Sequence, residues 1–405
     1  MALRLSPRID ASAESASVLA LQNVLPFRRP DADGRRGGRI HLSSPELAGG
    51  EMEAFEESLR SGWLAPAGPV PKAFESAFGQ VAGFEHVLAT SSGTAALHLG
   101  YRVLDVAQGD EVWAPTLTFV ATVAPAVQMG ARIAFLDVAS ESWTLDPDML
   151  RDALAQAARE GRLPRVVVPV DLYGQCADLD AIVSVCDRWG VPVMSDSAES
   201  LGATVRGRRA GQGARLACFS LNGNKIITAG GGTLVSDDPE LIASARHLGM
   251  QAKEVAPHYQ HETTGFSSVL AAVGLMQLRA LESRVASRRV VFDRYVAGLA
   301  DLPGISFMPE PSWGQSSRWL SVMLIDSPRF GADREMVRRA LDEAGIESRP
   351  VWKPLHLQPA FRSAGRVGGG VAAGLFERGL CLPSGSMSPA EQSRVIEVIR
   401  RLARG

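Results

Sequence analysis

The chain has 405 residues, of which 46% are hydrophobic and 21% charged, the composition of a globular protein with a large core and room for two domains. Its formal net charge of −2, with arginines spread along the sequence, argues against a nucleic-acid partner bound through its phosphates. No apolar stretch is long enough to span a bilayer, so no membrane segment is predicted.

The first 38 residues mix acids with arginines and lack a continuous apolar core. We predict a non-secretory, poorly ordered extension at residues 1–38, with one short helix over residues 17–25. The four cysteines lie far apart and form no C-x-x-C pair, which predicts free thiols in a reducing, cytoplasmic compartment rather than disulfides or a metal site. They are Cys176, Cys186, Cys218 and Cys381.

Residues 39–270 alternate short β-rich segments with segments that carry apolar residues at helical spacing, beginning near Ile40. The predicted strands are His86–Thr90, Glu111–Ala114, Arg132–Leu136, Arg165–Val170, Val191–Met194, Ala217–Phe219 and Thr233–Val235. Helices are predicted over Thr94–Val103 and Asp180–Trp189, the second capped by Asp178 or Asp180. This alternation predicts a large α/β domain with a mainly parallel central sheet flanked by helices.

One long amphipathic helix is predicted over Ala271–Leu299, and we assign residues 271–300 to a helix that connects two domains. Its apolar face comprises Val273, Met276, Leu278, Leu281, Val285 and Phe292, and the residues on its other faces are Arg279, Glu282, Arg284 and Arg288. A smaller C-terminal α+β domain is predicted at residues 301–405. Its predicted elements are the strands Ile305–Phe307 and Trp319–Leu324 and the helices Asp333–Ala344 and Pro389–Leu402.

A run of small residues, Thr90-Ser-Ser-Gly-Thr94, ends the first predicted strand and opens a helix. Small residues let the backbone approach a ligand, and the free amides of a first helical turn point toward an anion. Gly93 and Thr94 are therefore candidates for a phosphate cradle, to which Ser220 could add a hydroxyl. A plain helix cap is the alternative for this run.

Phe119 follows the second predicted strand, where its ring could lie against a planar cofactor or pack in the core. Asp196 follows the apolar segment 191–194, at the sheet edge where open α/β folds bind ligands. A helix cap is the alternative for Asp196. Glu199 could reach a cofactor oxygen or close a capping box.

Lys225 lies in a polar turn ahead of three consecutive glycines at 230–232. A lysine at a sheet edge can form a Schiff base with an aldehyde cofactor, although most lysines near such turns are solvated surface residues. An acid that keeps a pyridinium nitrogen protonated and a downstream lysine are what pyridoxal phosphate chemistry requires. Asp196 and Lys225 together therefore predict pyridoxal 5′-phosphate as the cofactor.

Five segments in order resemble the DegT/DnrJ/EryC1/StrS sugar aminotransferases, and the resemblance extends over residues 40–402. They are Ser91-Ser-Gly-Thr-Ala-Ala-Leu, Thr118-Phe-Val-Ala-Thr, Pro169-Val-Asp-Leu-Tyr-Gly-Gln, Ser195-Asp-Ser-Ala-Glu and Phe219-Ser-Leu-Asn-Gly-Asn-Lys225. The resemblance implies a fold-type-I pyridoxal phosphate enzyme that acts on nucleotide-linked keto sugars.

The same resemblance implies a role for each candidate residue. Lys225 would be the Schiff-base lysine and Asp196 the partner of the pyridinium nitrogen. Phe119 would stack on the ring and Glu199 would lie near the ring hydroxyl. The phosphate would be surrounded by Gly93, Thr94 and Ser220.

Lysine at position 225 favours amino transfer, because relatives that remove a sugar hydroxyl carry histidine there. The expected reaction moves an amino group from glutamate, which leaves as 2-oxoglutarate, to a nucleotide-linked 4-keto-6-deoxy sugar. The family also implies a homodimer with its active sites at the interface.

Residues 347–358 and 379–385 resemble one subgroup of the family. Its members aminate C4 of UDP-linked 2-acetamido-2,6-dideoxy-4-keto hexoses on the bacillosamine-type route to glycans and polysaccharides. In this stretch Trp352, Lys353 and His356 line the sugar-nucleotide cleft or pack between domains.

The segment at 265–270 departs from the family pattern. Relatives carry a longer stretch resembling G-Y-N-Y-R-x-S, whose asparagine and arginine reach the neighbouring subunit's cofactor phosphate and substrate. The region after Pro383 is about one residue shorter as well, although loops absorb such changes and the fold should persist. The alternatives are a regulatory homologue that binds the cofactor with impaired turnover, a pyridoxal phosphate-dependent dehydratase, and a transaminase with a non-sugar substrate.

Overall fold

The computed structural model describes residues 38–251 and 264–403. The predicted N-terminal extension, apart from Gly38, and the short helix predicted over 17–25 lie outside these residues. From Ile40 onward the described chain belongs to one unit. The predicted division into a large domain at residues 39–270, a connecting segment at 271–300 and a small domain at 301–405 stays a prediction. None of the helices among the described residues combines the length and the apolar character needed to cross a bilayer.

The helices are α1 Glu51–Arg60, α2 Pro69–Ala82, α3 Gly93–Val103, α4 Ala124–Gln128, α5 Pro147–Arg159, α6 Leu179–Asp187, α7 Pro239–Gly249, α8 Ser268–Leu278, α9 Leu281–Leu299, α10 Ser327–Phe330, α11 Arg334–Glu343, α12 Gly370–Arg378 and α13 Pro389–Leu402. The strands are β1 His86–Thr90, β2 Glu111–Pro115, β3 Arg132–Leu136, β4 Val166–Val167, β5 Met194–Asp196, β6 Thr204–Val205, β7 Arg208–Arg209, β8 Leu216–Ser220, β9 Gly232–Ser236, β10 Ile305–Phe307, β11 Gly314–Gln315, β12 Ser321–Ile325, β13 Arg349–Pro350, β14 Gly365–Val367 and β15 Gly379–Leu382.

The central sheet consists of two four-stranded halves, with strand orders β1-β9-β8-β5 and β14-β3-β2-β4. Parallel bridges from Val167 to Val193 and from Val170 to Asp196 join the halves. Strand β9 runs antiparallel to β1 and β8, whereas the pairs β5–β8, β2–β4, β2–β3 and β3–β14 are parallel. The sheet is therefore mainly parallel, as the alternation of elements predicts.

Strand β5 begins three residues later than predicted and ends at Asp196. The predicted strand contains Pro192, which has no N–H to donate to a neighbouring strand. Its carbonyl still accepts a hydrogen bond from Val167 N at 3.0 Å, so the chain pairs there only through an isolated bridge. Asp196 is consequently the last residue of the strand, at the sheet edge where the sequence predicts it.

Helix α3 covers the sheet beside β8 and β9 and buries Ala96, Leu97, Leu99 and Tyr101. Each buried leucine contributes roughly 1.5–3 kcal/mol of transfer free energy. Gly100 permits this close approach, because a Cβ there would lie 2.3 Å from Met194 Sδ. The packing fixes the N-terminus of α3 at the edge of the sheet where β1, β5 and β8 end.

The single helix predicted over 271–299 is wrong, because α8 ends at Leu278 and α9 begins at Leu281. The apolar spacing continues across the break, so periodicity gives no sign of it. Two of the residues placed off the apolar face, Arg284 and Arg288, are also buried, with 6% and 3% of their surface exposed.

The C-terminal region forms a second sheet in the order β10-β12-β15-β13, with all pairs antiparallel. Its core includes Tyr295 of α9, Val337 of α11 and Val395 of α13. Strand β12 begins at Ser321, two residues later than predicted. Trp319 therefore lies in the turn that precedes the strand rather than in the strand itself.

Asp137, which is 3% exposed, follows β3 and ties the C-terminal region to the central sheet. Its carboxylate accepts hydrogen bonds from the backbone N–H groups of Gly369, Val371 and Ala372 at 2.6–3.0 Å. These amides belong to the first turn of α12, whose N-cap, Gly369, has no side chain to satisfy them. Asp137 therefore supplies a cap from a distant part of the sequence.

We expect Asp137→Ala to lower the free energy of unfolding by roughly 2–4 kcal/mol, because it leaves several buried N–H groups without an acceptor. Chemical unfolding followed by circular dichroism measures this change. Asp148→Ala is the matched control, since Asp148 is 82% exposed and its ion pair with Arg151 is a surface pair. Equal stability of the two variants would contradict the proposed cap.

Candidate active site

A cavity of about 350 Å³ lies where β1, β2, β5 and β8 end. The seven predicted site residues all line it, and they are Gly93, Thr94, Phe119, Asp196, Glu199, Ser220 and Lys225. They meet because each follows or ends a strand that reaches this edge of the sheet. Further lining residues that the sequence did not single out include Asn222, Asn224 and Trp319.

Lys225 is held inside the cavity, and its side chain is 13% exposed. Its backbone N–H donates to Asn222 O at 2.9 Å, which closes the polar turn. Its Nζ donates to Glu199 Oε1 at 3.1 Å and lies 3.8 Å from the ring centroid of Trp319. The alternative of a solvated surface lysine is therefore wrong.

Glu199 joins the lysine to a second segment of the chain. While Oε1 accepts from Lys225, Oε2 accepts from the backbone N–H of Tyr173 at 2.9 Å. Tyr173 has a φ of 51° and Gly174 a φ of 101°, so the chain turns sharply there. A Cβ on Gly174 would lie 2.6 Å from Trp319 N, and only glycine leaves room for this turn. Glu199 thus has two donors and does not close a capping box.

Asp196 is buried and oriented by two donors. Thr122 Oγ1 donates to its Oδ2 at 2.6 Å, and Ala198 N donates to its Oδ1 at 3.2 Å. No helix follows Asp196 before α7, so the alternative of a helix cap is wrong. Burial raises the pKa of Asp196, and the Glu199 carboxylate raises it further, whereas the hydrogen bond from Thr122 and the charge of Lys225 lower it.

The phosphate cradle predicted at residues 91–94 forms the N-terminus of α3. Ser92 is the N-cap, and its Oγ accepts from Ala95 N at 3.0 Å. A Cβ on Gly93 would lie 3.0 Å from Ser220 Cβ, and one on Gly232 would lie 2.4 Å from Gly93 N. Backbone amides and hydroxyls therefore form this wall, a composition suited to an anion.

Phe119 is 51% exposed at the cavity mouth, with its ring centroid 5.3 Å from that of Trp352. Trp352 lines the cavity and stacks on Tyr173 at 6.3 Å. Lys353 and His356 do not line it. His356 instead pairs through Nδ1 with Thr116 Oγ1 at 2.6 Å, and burial with the nearby charge of Arg366 lowers its pKa. Of these three candidates, Trp352 alone reaches the site.

The two buried arginines of α9 join three segments of the chain, two of which line the cavity. Arg284 donates to Ile226 O, next to the lysine, at 2.9 Å and to Glu46 O at 2.7 Å. Arg288 donates to Trp319 O at 3.1 Å, and its other nitrogen lies 3.4 Å from Glu46 Oε1. Three of these four contacts run from the helix to backbone carbonyls of loops, and hydrophobic periodicity gives no sign of them.

Residues 265–270, which depart from the family pattern, contact other segments of the same chain. Gly265 pairs with Thr90, and Phe266 is buried against Phe74 at a centroid distance of 5.3 Å. Ser268 Oγ donates to Ala65 O and Ala67 O at 2.8 Å. Within the described residues, the cavity lining takes nothing from 264–270. The stretch just before it, 252–263, lies outside the described residues, so a shortened loop stays a prediction.

These residues fit pyridoxal phosphate. One cavity contains an enclosed lysine amine for its aldehyde, a buried carboxylate for its ring nitrogen, and a wall of amides and hydroxyls for its phosphate. Gly93 and Gly231 line that wall, and a Cβ would lie 3.0 Å from Ser220 Cβ at the first and 2.3 Å from Phe266 Cε2 at the second, so neither position has room for a side chain.

The sequence profile of the DegT/DnrJ/EryC1/StrS aminotransferase family matches residues 45–400. The chain belongs to this family.

Two relatives and one solved structure show the extent of the likeness. EpsN of Bacillus subtilis, named as a pyridoxal phosphate-dependent aminotransferase, is 46% identical over 374 residues, which cover 90% of this chain and 96% of EpsN. GDP-perosamine synthase of Caulobacter vibrioides is 32% identical over 368 residues, covering 89% of this chain and 97% of that enzyme. The structure of DesI with its TDP-sugar product has a TM-score of 0.82 at 27% identity, covering 91% of this chain and 94% of DesI.

These comparisons confirm the predicted family, the fold class and the enzyme class, a pyridoxal phosphate-dependent sugar aminotransferase. The closeness to the bacillosamine-pathway subgroup stays a prediction.

Asp171 is a further buried carboxylate next to the site. Its Oδ2 accepts from Ser200 Oγ at 2.5 Å and its Oδ1 from Ala177 N at 2.8 Å. Burial nevertheless raises its pKa to about 6. Between pH 4 and 6 the unfolded chain has lost this proton while the folded chain keeps it, so Asp171 lowers stability as the pH rises.

We expect the free energy of unfolding of the wild type, relative to Asp171→Asn, to fall by about 2 kcal/mol between pH 4 and pH 7. Urea unfolding of both proteins across this range measures the difference, in which the other titrating groups cancel. Asp152→Asn is the control, because Asp152 is 76% exposed. A difference that does not change with pH would contradict the shifted pKa of Asp171.

Proposed function

We propose that this enzyme transfers the amino group of glutamate to C4 of a nucleotide-linked 4-keto-6-deoxy sugar, with Lys225 as the residue that bonds pyridoxal phosphate. One observation carries the proposal. The amine of Lys225 and the carboxylate of Asp196 line the same cavity as the N-terminus of α3. A lysine at this position supports amino transfer over dehydration.

Lys225 has two tasks in this reaction. Its Nζ would bond the cofactor between turnovers, and when free it would be the general base and acid of the site. As a base, Nζ takes the proton from Cα of glutamate, and it later returns a proton to C4 of the sugar. Glu199 Oε1 accepts a hydrogen bond from the lysine at 3.1 Å and would hold Nζ inside the cavity. The bound cofactor supplies an electron sink for the carbanion that proton removal creates.

The remaining residues bind and orient. Asp196 would hold a proton on the ring nitrogen, and that positive partner favours the charged carboxylate despite its burial. Thr122 fixes the carboxylate through its hydrogen bond to Oδ2. Gly93, Thr94 and Ser220 would hold the phosphate, Phe119 would face the ring, and Glu199 would lie near the ring hydroxyl.

The shape of the site supports a large substrate, part of which lies against aromatic side chains. A second cavity of about 470 Å³ shares Asn224, Trp319 and Trp352 with the first, and Tyr173 lines the second. The sugar would enter beside Phe119 and Trp352, and the neighbouring space accommodates a nucleotide. The names of the relatives support a nucleotide-linked substrate, since one is a GDP-perosamine synthase and DesI was solved with a TDP-sugar. The C-terminal resemblance favours a UDP-linked N-acetylated sugar.

We also propose that the enzyme acts as a homodimer. Helix α1 exposes Met52, Phe55 and Leu59 on one face, and Trp63 and Leu64 follow it with about half of their surfaces exposed. Exposed apolar residues in such a group mark a protein interface.

Lys225→Ala is expected to lower kcat by at least about 10³-fold, because the general base is lost, and to remove the visible absorbance of lysine-bound cofactor. Steady-state assays and absorbance spectra measure both. Lys72→Ala, an exposed lysine on α2, is the control. Retention of either signal in Lys225→Ala would contradict the assignment. A wild type whose spectrum does not respond to glutamate would favour a regulatory homologue instead.

Among UDP-, GDP- and dTDP-linked 4-keto and 3-keto sugars, we expect the UDP-linked 2-acetamido-4-keto-6-deoxy hexose to have the highest kcat/KM, by at least about tenfold. The physical reason is that a site built to bind an acetamido group leaves polar groups unpaired with other sugars. Measuring 2-oxoglutarate release for each sugar ranks them. Preference for a GDP- or dTDP-linked sugar would overturn the substrate while leaving the transaminase intact.

A further inference from the structure

Trp319 contacts Lys225 from the C-terminal half of the chain. The lysine Nζ lies 3.8 Å from the centroid of the indole ring and 3.1 Å from Glu199 Oε1. Trp319 is 2% exposed and the lysine side chain 13%. A cation over the face of an indole is attracted by the ring quadrupole, and this attraction is strongest where water is excluded.

The indole is fixed on three sides. Its Nε1 donates to Asn224 O at 2.7 Å, in the turn that carries the lysine. Its backbone carbonyl accepts from Arg288 Nη1 at 3.1 Å, and its ring stacks on Tyr173 with an interplanar angle of 23°. The ring therefore keeps its place whether or not the lysine lies against it.

Tyr173 also fixes the second contact of the lysine. Its backbone N–H donates to Glu199 Oε2, so one residue sets the positions of both the carboxylate and the indole. The two groups that hold the ammonium therefore belong to one rigid assembly rather than to independent side chains.

We propose that Trp319 is a positioning residue for Lys225: its indole face and the Glu199 carboxylate form a seat that holds the lysine ammonium whenever the lysine is not bonded to cofactor. This inference rests on the proposed function of Lys225. During amino transfer the lysine is released, and a long flexible side chain then has many other rotamers available. The seat keeps Nζ beside the reacting carbons, from which it returns to bond the cofactor again.

The first test measures the reactivity of Lys225 in cofactor-free protein toward an acetylating N-hydroxysuccinimide ester, read by peptide mass spectrometry. An amine reacts only where the reagent reaches it, and the seat covers the lysine, whose side chain is 13% exposed. We expect Trp319→Leu to be labelled about three to ten times faster than the wild type. Trp319→Phe keeps an aromatic face but loses the hydrogen bond to Asn224, and should stay within about twofold of the wild type.

Trp313→Leu is the matched control, because the Trp313 ring lies under Arg206, at 5.5 Å, and not in the cavity. Its labelling rate should match the wild type. Equal acceleration of labelling in Trp319→Leu and Trp319→Phe would show that Trp319 anchors the turn, and would overturn the seat. Unchanged labelling in both variants would also overturn the seat. If Trp319→Leu does not fold, Trp319→Met, which also lacks a ring, replaces it.

The second test uses the holoenzyme. Trp319→Leu should lower kcat about tenfold while the KM for glutamate stays within about twofold, because displacing the general base acts on the chemical step. Trp319→Phe should restore most of kcat. A change in KM without a change in kcat would overturn the inference.

Borohydride reduction of the wild-type holoenzyme separates failure of the seat from failure of the proposed function. A cofactor adduct on the Lys225 peptide supports the proposed function. Its absence contradicts that function, whereas its presence together with unchanged labelling of Trp319→Leu contradicts the seat alone.

Discussion

The site depends on two arginine side chains of one helix that are buried in the protein. Arg284 and Arg288 lie one turn apart on α9, and burial lowers the pKa of both guanidinium groups, that of Arg288 to about 10. Burying such charges is costly unless every donor finds an acceptor. The acceptors here include carbonyls of the N-terminal segment, the lysine turn and the turn before β12. The cost of burial is thus offset by contacts that join three distant segments, two of which, the lysine turn and the turn before β12, line the cavity.

The sequence predicts the part of this arrangement that follows from local pattern. Strands such as His86–Thr90 and Arg132–Leu136 have the predicted bounds, and the seven candidate residues meet because their segments end at one sheet edge. Thr122 is the last residue of the segment Thr118-Phe-Val-Ala-Thr, which the sequence singles out. The sequence therefore indicates this residue, although not its hydrogen bond with Asp196.

Other parts depend on contacts between distant residues and left no local signal. Trp319 donates a hydrogen bond to Asn224, which lies 95 residues earlier in the chain. The apolar residues after Trp319 predict a strand at this position and give no sign of that contact. The break between α8 and α9 interrupts hydrogen bonds without interrupting the apolar spacing. The burial of Arg284 and Arg288 likewise needs acceptors that only the assembled fold provides.

The four cysteines have a consequence for the chemistry of an aldehyde. All four are free and buried, and burial raises the pKa of Cys186 and Cys381 to about 12 and those of Cys176 and Cys218 well above the usual range. Thiolates are strong nucleophiles that compete with amines for carbonyl carbons, and buried neutral thiols are inert. Within the part of the chain that the structure describes, an aldehyde entering the folded protein meets no competing sulfur nucleophile. The carbonyl carbon of such an aldehyde therefore stays available to the amine of Lys225.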